Sequence, residues 1–203
     1  YTTGEFMELD LTARRNLELT ATLRGGDKRG SLLWVLDKTC TPMGHRLIRA
    51  WIEKPLLSPV QIGKRQGAVR DLAGDMVSRQ ELERELREVT DLERLIGRVV
   101  YGSAGGRDMV ALSRGLGKLP TLRLLLSPFS STLLGVLREN LDDLAELRSH
   151  IDAAFVDEPP FSVREGGFIR EGYNAEVDRL RGILTGGRDM VAALEAQEKE
   201  KTG

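Results

Sequence analysis

The longest run of helical periodicity in this chain lies at its C-terminal end. Asn174 suits a helix N-cap, because its side-chain oxygen can accept hydrogen bonds from the free amides of the first turn. Apolar residues then recur at steps of three and four, with Gly187 filling one place: Val177, Leu180, Leu184, Val191 and Leu194. This spacing predicts one helix from Asn174 to Lys201, a rod of about 40 Å.

Two features of this predicted helix favour different structures at its midpoint. Gly186 and Gly187, followed by an acidic residue, favour a break and restart at 186–189, whereas the apolar stripe carries straight through. We expect a continuous helix and keep a hinge as the alternative. The final turns, EAQEKEK, carry almost no apolar surface and could bury little against a compact core. We therefore expect the chain to be a fragment of a larger protein.

The rest of the pattern is also mainly helical. Hydroxyl residues open short helices at Ser31, at Thr41-Pro42 and at Ser58-Pro59, the last two with proline at the first helical position. Long amphipathic stretches follow at 76–101, 107–126 and 131–155, and glycines and prolines interrupt them at Gly102, Gly105, Gly106, Pro120 and Pro128. Strand-like alternation is confined to the start of the chain (5–9, and a second strand after one helical turn in 11–23) and to Phe168 and Ile169.

These elements predict a mainly α fold with one structural domain. Residues 1–155 form a multi-helical core that includes a short β/α segment at 1–25, and residues 156–203 form a connector and a long projecting helix. Two aromatic residues are expected in the core. Trp34 lies between Leu33 and Val35, and Trp51 follows Leu47 by one turn, so we predict that both indoles are largely buried where the two helices meet.

Composition narrows the function classes. Thirty basic residues against thirty-one acidic ones give a net charge of −1 and no basic surplus, which argues against binding nucleic acid mainly through phosphates. The sequence contains no long apolar run of the kind that spans a membrane or forms a signal peptide. A single cysteine, Cys40, allows neither an internal disulfide nor a multi-cysteine zinc site. A cytoplasmic protein is the simplest interpretation.

Motifs that carry chemistry are weak. The glycine-containing segments 102–108 and 115–120 lack the Lys-Ser/Thr pair of a phosphate-binding loop. His45 has no metal-like partner, and His150 has only Glu146 and Asp152 nearby, so both are expected to be surface histidines. The heptapeptide GGRDMVA occurs at 105–111 and again at 186–192, and we interpret it as recurring helix-start chemistry because the flanking sequences share nothing. The sequence therefore proposes no catalytic, cofactor-binding or metal-binding residue.

Four runs of sequence, in order, closely resemble the core and lever region (domain III) of the MutS DNA mismatch repair proteins. They are FMELDLTARRNLELT (6–20), SLLWVLDKTCTPMGHRLIRAWIEKPL (31–56), DLERLIGRVVYGSAGGRDMVAL (91–112) and DEPPFSVREGGFIREGYNAEVDRLR (157–181), with EKEKTG closing the chain. The resemblance implies a helical core and a lever helix that runs to a clamp domain inserted just after this segment. It also implies that the clamp, the returning lever helix, the mismatch-reading domain and the ATPase lie outside this chain.

The resemblance sets the expected function. It implies a non-catalytic fragment that couples the clamp and the mismatch-reading domain to the ATPase, in a homodimeric parent protein that binds mismatched double-stranded DNA and uses ATP and Mg²⁺. None of the family's known functional residues has a counterpart here, so none is carried over. The alternative is a helical protein–protein interaction module with no nucleic-acid role, docking through the exposed stripe of the long helix. An enzyme is a distant third, for want of a candidate site.

Overall fold

The computed structural model describes residues 4–202, without the side chains of residues 185, 188–190, 198 and 200–202. The chain is mainly helical, with 63% of residues in helix, which confirms the predicted fold class. In chain order the helices are α1 Leu11–Asn16, α2 Leu32–Leu36, α3 Pro42–Glu53, α4 Pro59–Gly74, α5 Met76–Arg87, α6 Leu92–Val100, α7 Gly106–Leu116, α8 Leu119–Leu125, α9 Thr132–Asn140, α10 Ala145–Ala154 and α11 Ala175–Thr202, with a 3₁₀ turn at Val163–Glu165.

The three predicted helix starts are confirmed by their caps. Ser31 Oγ accepts from the Trp34 amide at 3.2 Å, and Thr41 Oγ1 accepts from the Gly44 amide at 3.0 Å. Ser58 Oγ accepts from the amide three residues on at 3.4 Å. Both prolines that follow the capping residues stand at the first helical position, where a missing N–H leaves no bond unmade.

Each of the three long amphipathic stretches forms two helices. The stretch 76–101 divides into α5 and α6, 107–126 into α7 and α8, and 131–155 into α9 and α10. Pro120 lies in the first turn of α8, where proline is tolerated. In the interior of one long helix it would remove a backbone hydrogen bond and break the helix. Leu144 adopts a left-handed conformation, with φ of 48°, immediately before α10. These breaks let successive helices fold back on one another and share a core.

The core consists of two neighbouring hydrophobic clusters. The larger joins α4, α5, α8 and α9, and its buried residues are Ala68, Leu82, Val89, Leu122, Phe129 and Leu134. The smaller joins α7 to α10 through Leu112, Leu116 and Ile151. Leu92 of α6 and Leu119 of α8 pack against both clusters, which makes the helical core continuous.

The strand-like segments form single bridges instead of strands. In residues 4–202, the N-terminal segment pairs only through an antiparallel bridge from Phe6 to Leu56, flanked by a hydrogen bond from the Met7 amide to the Pro55 carbonyl at 2.8 Å. The second N-terminal strand was predicted wrongly. After α1 the chain turns at Glu18, which has a φ of 48°, and continues without regular structure to α2.

The predicted burial of both tryptophans is wrong. The Trp34 residue is 50% exposed and the Trp51 residue is 40% exposed. Helix α2 has only five residues and buries only Leu33, so its neighbour Trp34 points away from the core. On α3 the half-buried face follows Ile48 and Ile52, which leaves Trp51 on the outer face.

Candidate functional site: the connector and the long helix

The candidate site is the place where α11 joins the helical core. Directly after α10, the chain forms an antiparallel bridge between Phe155 and Ile169. The Val156 amide donates to the Phe168 carbonyl at 3.1 Å, and the Arg170 amide donates to the Ala154 carbonyl at 2.8 Å. The rings of Phe155 and Phe168 stack with centroids 6.4 Å apart. The connector, residues 155–174 between α10 and α11, is therefore held against the end of α10 by backbone hydrogen bonds and by aromatic packing.

The first turn of α7 forms the other half of this attachment. Gly106 is buried, and a Cβ built on it would lie 2.9 Å from Pro159 Cβ and 3.1 Å from Phe168 Cβ. Arg107 Nε donates to the Pro159 carbonyl at 2.9 Å. The α7 backbone thus approaches the connector more closely than any residue with a side chain would allow.

Charged side chains add to the attachment from both sides. Arg114 of α7 donates to the Asp157 carbonyl at 3.3 Å, and Arg170 pairs with the Asp157 carboxylate at 2.9 Å. Ser113 is buried and donates to the Asp152 carboxylate on α10. Exposed ion pairs of this kind contribute little individually, so most of the strength lies in the backbone pairing and the close packing.

The start of α11 is tied back to the connector. Asn174 Oδ1 accepts from the Glu176 amide at 3.0 Å and from the Val177 amide at 3.1 Å, which confirms the predicted N-cap. Asp178 Oδ2 accepts from the Gly172 amide at 2.9 Å, and Arg181 Nη2 donates to the Ile169 carbonyl at 2.9 Å. The first two turns of α11 are therefore capped by Asn174 and are also hydrogen-bonded to the connector.

Beyond these turns the described side chains of α11 are exposed. The helix has 28 residues, about 42 Å at the α-helical rise, and its backbone is continuous through Gly186 and Gly187, as the apolar stripe predicted. The stripe itself is exposed, at 47% for Leu180, 74% for Leu184, 60% for Val191 and 52% for Leu194. A Cβ added at Gly186 or Gly187 would meet nothing within 4 Å. The glycines accordingly leave room for a larger residue.

The two copies of GGRDMVA occupy different settings. Gly105 is the N-cap of α7, and the Asp108 side chain accepts from its amide at 2.8 Å, so the first copy starts a helix. The second copy lies within α11. The heptapeptide is thus compatible with a helix start and with a helix interior, and the two copies do not form equivalent loops.

Of the two glycine-containing segments, 102–108 supplies Gly106 and Arg107 to this attachment, whereas segment 115–120 and the two histidines lie elsewhere. Segment 115–120 consists of the end of α7, a two-residue turn at Gly117 and Lys118, and the start of α8, and so does not form a phosphate-binding loop. The His150 ring bonds to the Glu146 carbonyl at 2.8 Å, and the His45 ring contacts the Asp37 carboxylate. Hydrogen bonds from the side chain and amide of Thr39, together with the one from His45, lower the pKa of Asp37 to about 2.

A second electrostatic cluster links two core helices. Arg46 of α3 binds Asp91 at 2.6 Å and 2.9 Å, and its Nε binds Glu93 at 2.7 Å. The guanidinium lowers the pKa of Asp91, and the two carboxylates raise the pKa of Arg46. Across the described residues, no three His, Cys, Asp or Glu side chains are grouped as metal ligands would be. Among the helices of residues 4–202, none combines the length and the apolar character needed to cross a membrane.

Comparison with known proteins identifies the family. Residues 12–201 match the family described as MutS domain III. The chain belongs to this family. Over its whole length it is 46% identical to the DNA mismatch repair protein MutS of Lachnoclostridium phytofermentans, 47% identical to that of Alkaliphilus oremlandii and 48% identical to that of Symbiobacterium thermophilum. The chain spans only 22% to 23% of the length of these MutS relatives.

Membership of the MutS domain III family confirms the resemblance found in the sequence, and the comparisons give no support to an interaction module without a nucleic-acid role. Sequence reasoning found the long helix and its cap but missed the attachment to α7. The sequence carried no signal for it, because the heptapeptide that contains Gly106 and Arg107 recurs unchanged at 186–192. In the structure, the close contacts with Pro159 and Phe168 distinguish Gly106 from Gly187.

Proposed function

We propose that this chain is the core and first lever helix of a DNA mismatch-recognition protein, and that it transmits conformational state mechanically. In the parent protein, α11 would carry movement between a DNA clamp and the helical core, and the core would pass it on toward the mismatch-reading and ATPase domains. The observation that carries the proposal is the attachment of α11, which combines a continuous helix with a base fixed to both α7 and α10.

Mechanical coupling requires an element with two arrangements that both distant sites bias. A stiff rod of about 42 Å can carry a rotation over that distance, whereas a flexible joint would absorb it. The hydrogen bonds from Gly172 to Asp178 and from Arg181 to Ile169 fix the base of the rod to the connector. Rotation of α11 would therefore reach the bridge at Phe155 and then α10.

The surface of the chain supports a role within a larger assembly. Its accessible area is 14997 Å² for a mass of 22.5 kDa. A compact monomer of that mass would expose about 9,500 Å². Part of the difference lies on the exposed apolar stripe of α11, the surface on which a returning lever helix would pack.

The remaining properties follow from this proposal. The chain itself supplies no catalytic, cofactor-binding or metal-binding residue, and ATP and Mg²⁺ act in a domain of the parent protein that this chain does not include. The parent would be a cytoplasmic homodimer that binds mismatched double-stranded DNA, while this region binds DNA weakly and without mismatch preference. The balanced charge supports that last point, since non-specific binding depends on neutralising phosphates with cations.

The test is to change the stiffness of the rod at its midpoint in the full-length parent protein. Replacing Gly186 and Gly187 by alanine should leave DNA-dependent ATP turnover nearly intact, because each alanine favours the helix by roughly 1 kcal/mol. The matched variant Gly187→Pro should break the helix and lower the stimulation of ATP turnover by DNA, with basal turnover preserved. Loss of stimulation in the alanine variant, with folding and basal turnover preserved, would instead favour a hinge at this position.

A further inference from the structure

The first three helices lie largely outside the two core clusters. Among the described helices, extensive packing joins α4 to α5 and α9, α5 to α8, and α7 to α6 and α10. Helix α2 packs on α3, but none of the extensively packed pairs joins α1, α2 or α3 to a later helix. Of the described apolar residues before α4, Met43 is the one that packs against the clusters. We call residues 4–57 the N-terminal lobe and α4 to α10 the helical body.

Backbone hydrogen bonds hold the N-terminal lobe together. The Met7 amide donates to the Pro55 carbonyl at 2.8 Å, so the start of the lobe is paired with its end. The Leu33 amide on α2 donates to the Leu19 carbonyl at 2.9 Å, and both of these leucines are buried. The lobe is therefore a unit with internal contacts of its own.

A single arginine joins the lobe to the helical body by hydrogen bonds. Arg46 Nε donates to Glu93 at 2.7 Å, and its two terminal nitrogens donate to the Asp91 carboxylate at 2.9 Å and 2.6 Å. Between described residues, every hydrogen bond from the lobe to the rest of the chain is made by Arg46. The Arg65 guanidinium on α4 also lies 3.5 Å from the centroid of the Trp51 ring on α3. Because a planar guanidinium that binds a carboxylate through two bonds fixes its orientation, Arg46 sets the position of α3 relative to the start of α6.

An apolar cleft of about 530 Å³ lies between the lobe and the helical body. The lobe lines it with residues 38–41 and Gly44, and the body lines it with leucines on α4, α5, α8 and α9, among them Leu72, Leu86 and Leu137. Protein interiors normally contain few voids larger than a water molecule. The two surfaces thus stay apart where a fixed interface would bring them into contact.

We propose that the N-terminal lobe separates from the helical body as one unit, and that the Arg46 contact sets how often it does so. Movement of one packed unit about a short connecting segment is a recurring mode of conformational change. The connecting segment here is residues 54–58, between α3 and α4. The inference goes beyond the lever function and does not depend on it, because it concerns the contacts of α3 and not those of α11.

The kind of contact between the two parts determines how readily the lobe opens. Partial opening occurs where few apolar contacts are buried. The side chain of Arg46 is 46% exposed and that of Glu93 is 68% exposed, so water and dissolved ions weaken their attraction. The lobe should therefore open more often than the helical body unfolds, and more often still at high salt.

Hydrogen exchange measured by mass spectrometry on the full-length parent protein tests this opening. Peptides that contain α1, α2 and α3 should share one dependence on urea and should exchange faster than peptides from α5 and α8. Raising NaCl from about 50 to about 500 mM should speed exchange in the lobe and leave α5 and α8 unchanged. If the lobe exchanges only when α5 and α8 do, the rest of the parent holds it closed and the proposal fails.

A pair of matched variants tests the role of Arg46. Arg46→Gln should raise exchange in all three lobe peptides about fivefold, because it removes the guanidinium that joins α3 to α6. The control Arg49→Gln removes an ion pair with Glu53 that lies within α3, and it should change these rates by less than about twofold. Equal effects of the two variants would overturn the role of Arg46. A rise confined to α3 would show local fraying and would overturn opening of the lobe as a unit.

Filling the cleft gives a test of the opposite sign. Cys40 lines the cleft from the side of the lobe and is partly buried. Cys40→Leu adds apolar volume there, so it should slow exchange in the lobe by about threefold. Unchanged or faster exchange would overturn the proposal that the two surfaces meet across this cleft. The lever proposal would survive that result, because its own test measures ATP turnover in variants of Gly187.

Discussion

The close approach of α7 to the connector predicts that the same glycine-to-alanine substitution has opposite effects on stability in the two copies of GGRDMVA. Gly106 and Gly187 are equivalent positions in the two copies of GGRDMVA. Gly106 contacts Pro159 and Phe168, whereas a methyl group placed on Gly187 would meet nothing within 4 Å. Alanine at each position tests whether tertiary contact outweighs local preference.

The magnitude at Gly106 follows from the distances. An added Cβ would lie 2.9 Å from Pro159 Cβ and 3.1 Å from Phe168 Cβ, where carbon atoms normally approach to about 3.5–4.0 Å. Both neighbours are Cβ atoms, which cannot move independently of the main chain. The Pro159 carbonyl also accepts a hydrogen bond from Arg107, which holds that part of the main chain in place. Overpacking of this kind costs about 1–3 kcal/mol. The higher helix propensity of alanine offsets up to about 1 kcal/mol of that cost.

We therefore expect Gly106→Ala to lower the free energy of unfolding by about 1–2 kcal/mol. At Gly187 no contact opposes the substitution, so Gly187→Ala should raise the stability of α11 by up to about 1 kcal/mol. The local sequence is the same in both variants. The difference in sign isolates the contribution of the connector.

Urea unfolding followed by circular dichroism measures the change in free energy. Hydrogen exchange locates it, because the amides of Val156 and Arg170 donate the hydrogen bonds that pair the connector with the end of α10. In Gly106→Ala these two amides should exchange faster than in the unsubstituted chain. If Gly106→Ala instead stabilises the chain as much as Gly187→Ala does, the close packing between α7 and the connector is refuted.

Two further predictions concern caps and charge. Asn174→Ala should destabilise the start of α11 by about 0.5–2 kcal/mol, seen as faster amide exchange in its first turn, and unchanged exchange would show that the cap is dispensable. Asp37 has its pKa lowered to about 2 by hydrogen bonds from Thr39 and His45, so its contribution to stability is present above about pH 4 and is lost as the pH falls toward 2. The Tm of the unsubstituted chain should therefore exceed that of Asp37→Asn by an amount that shrinks as the pH falls over this range. A difference in Tm that is constant with pH would contradict the assignment.

Local interactions let much of this fold be predicted from sequence. A capping residue such as Ser31 or Asn174 bonds to amides only two or three residues away, so its effect does not depend on distant parts of the chain. The apolar stripe of α11 is likewise a property of spacing, and it correctly predicted a helix that continues through Gly186 and Gly187. The order of the four MutS-like runs was enough to predict the family.

Burial and attachment depend on the packing of whole helices. The sequence contained Trp34 and Trp51 in apolar surroundings, but which face of each helix meets the core depends on where its neighbours pack. The division of the long amphipathic stretches also depends on packing, because breaks such as the one at Leu144 allow helices to fold back and share a core.

The candidate site shows most clearly which features follow from local sequence and which depend on tertiary packing. The long helix, its cap and its stripe could be read from the sequence, since each results from interactions within a few residues. The two identical heptapeptides at Gly106 and Gly187, by contrast, offered no local means of telling them apart. Only the folded chain brings Pro159 and Phe168 against the first copy, because contacts between residues more than fifty positions apart are set by the packing of whole elements.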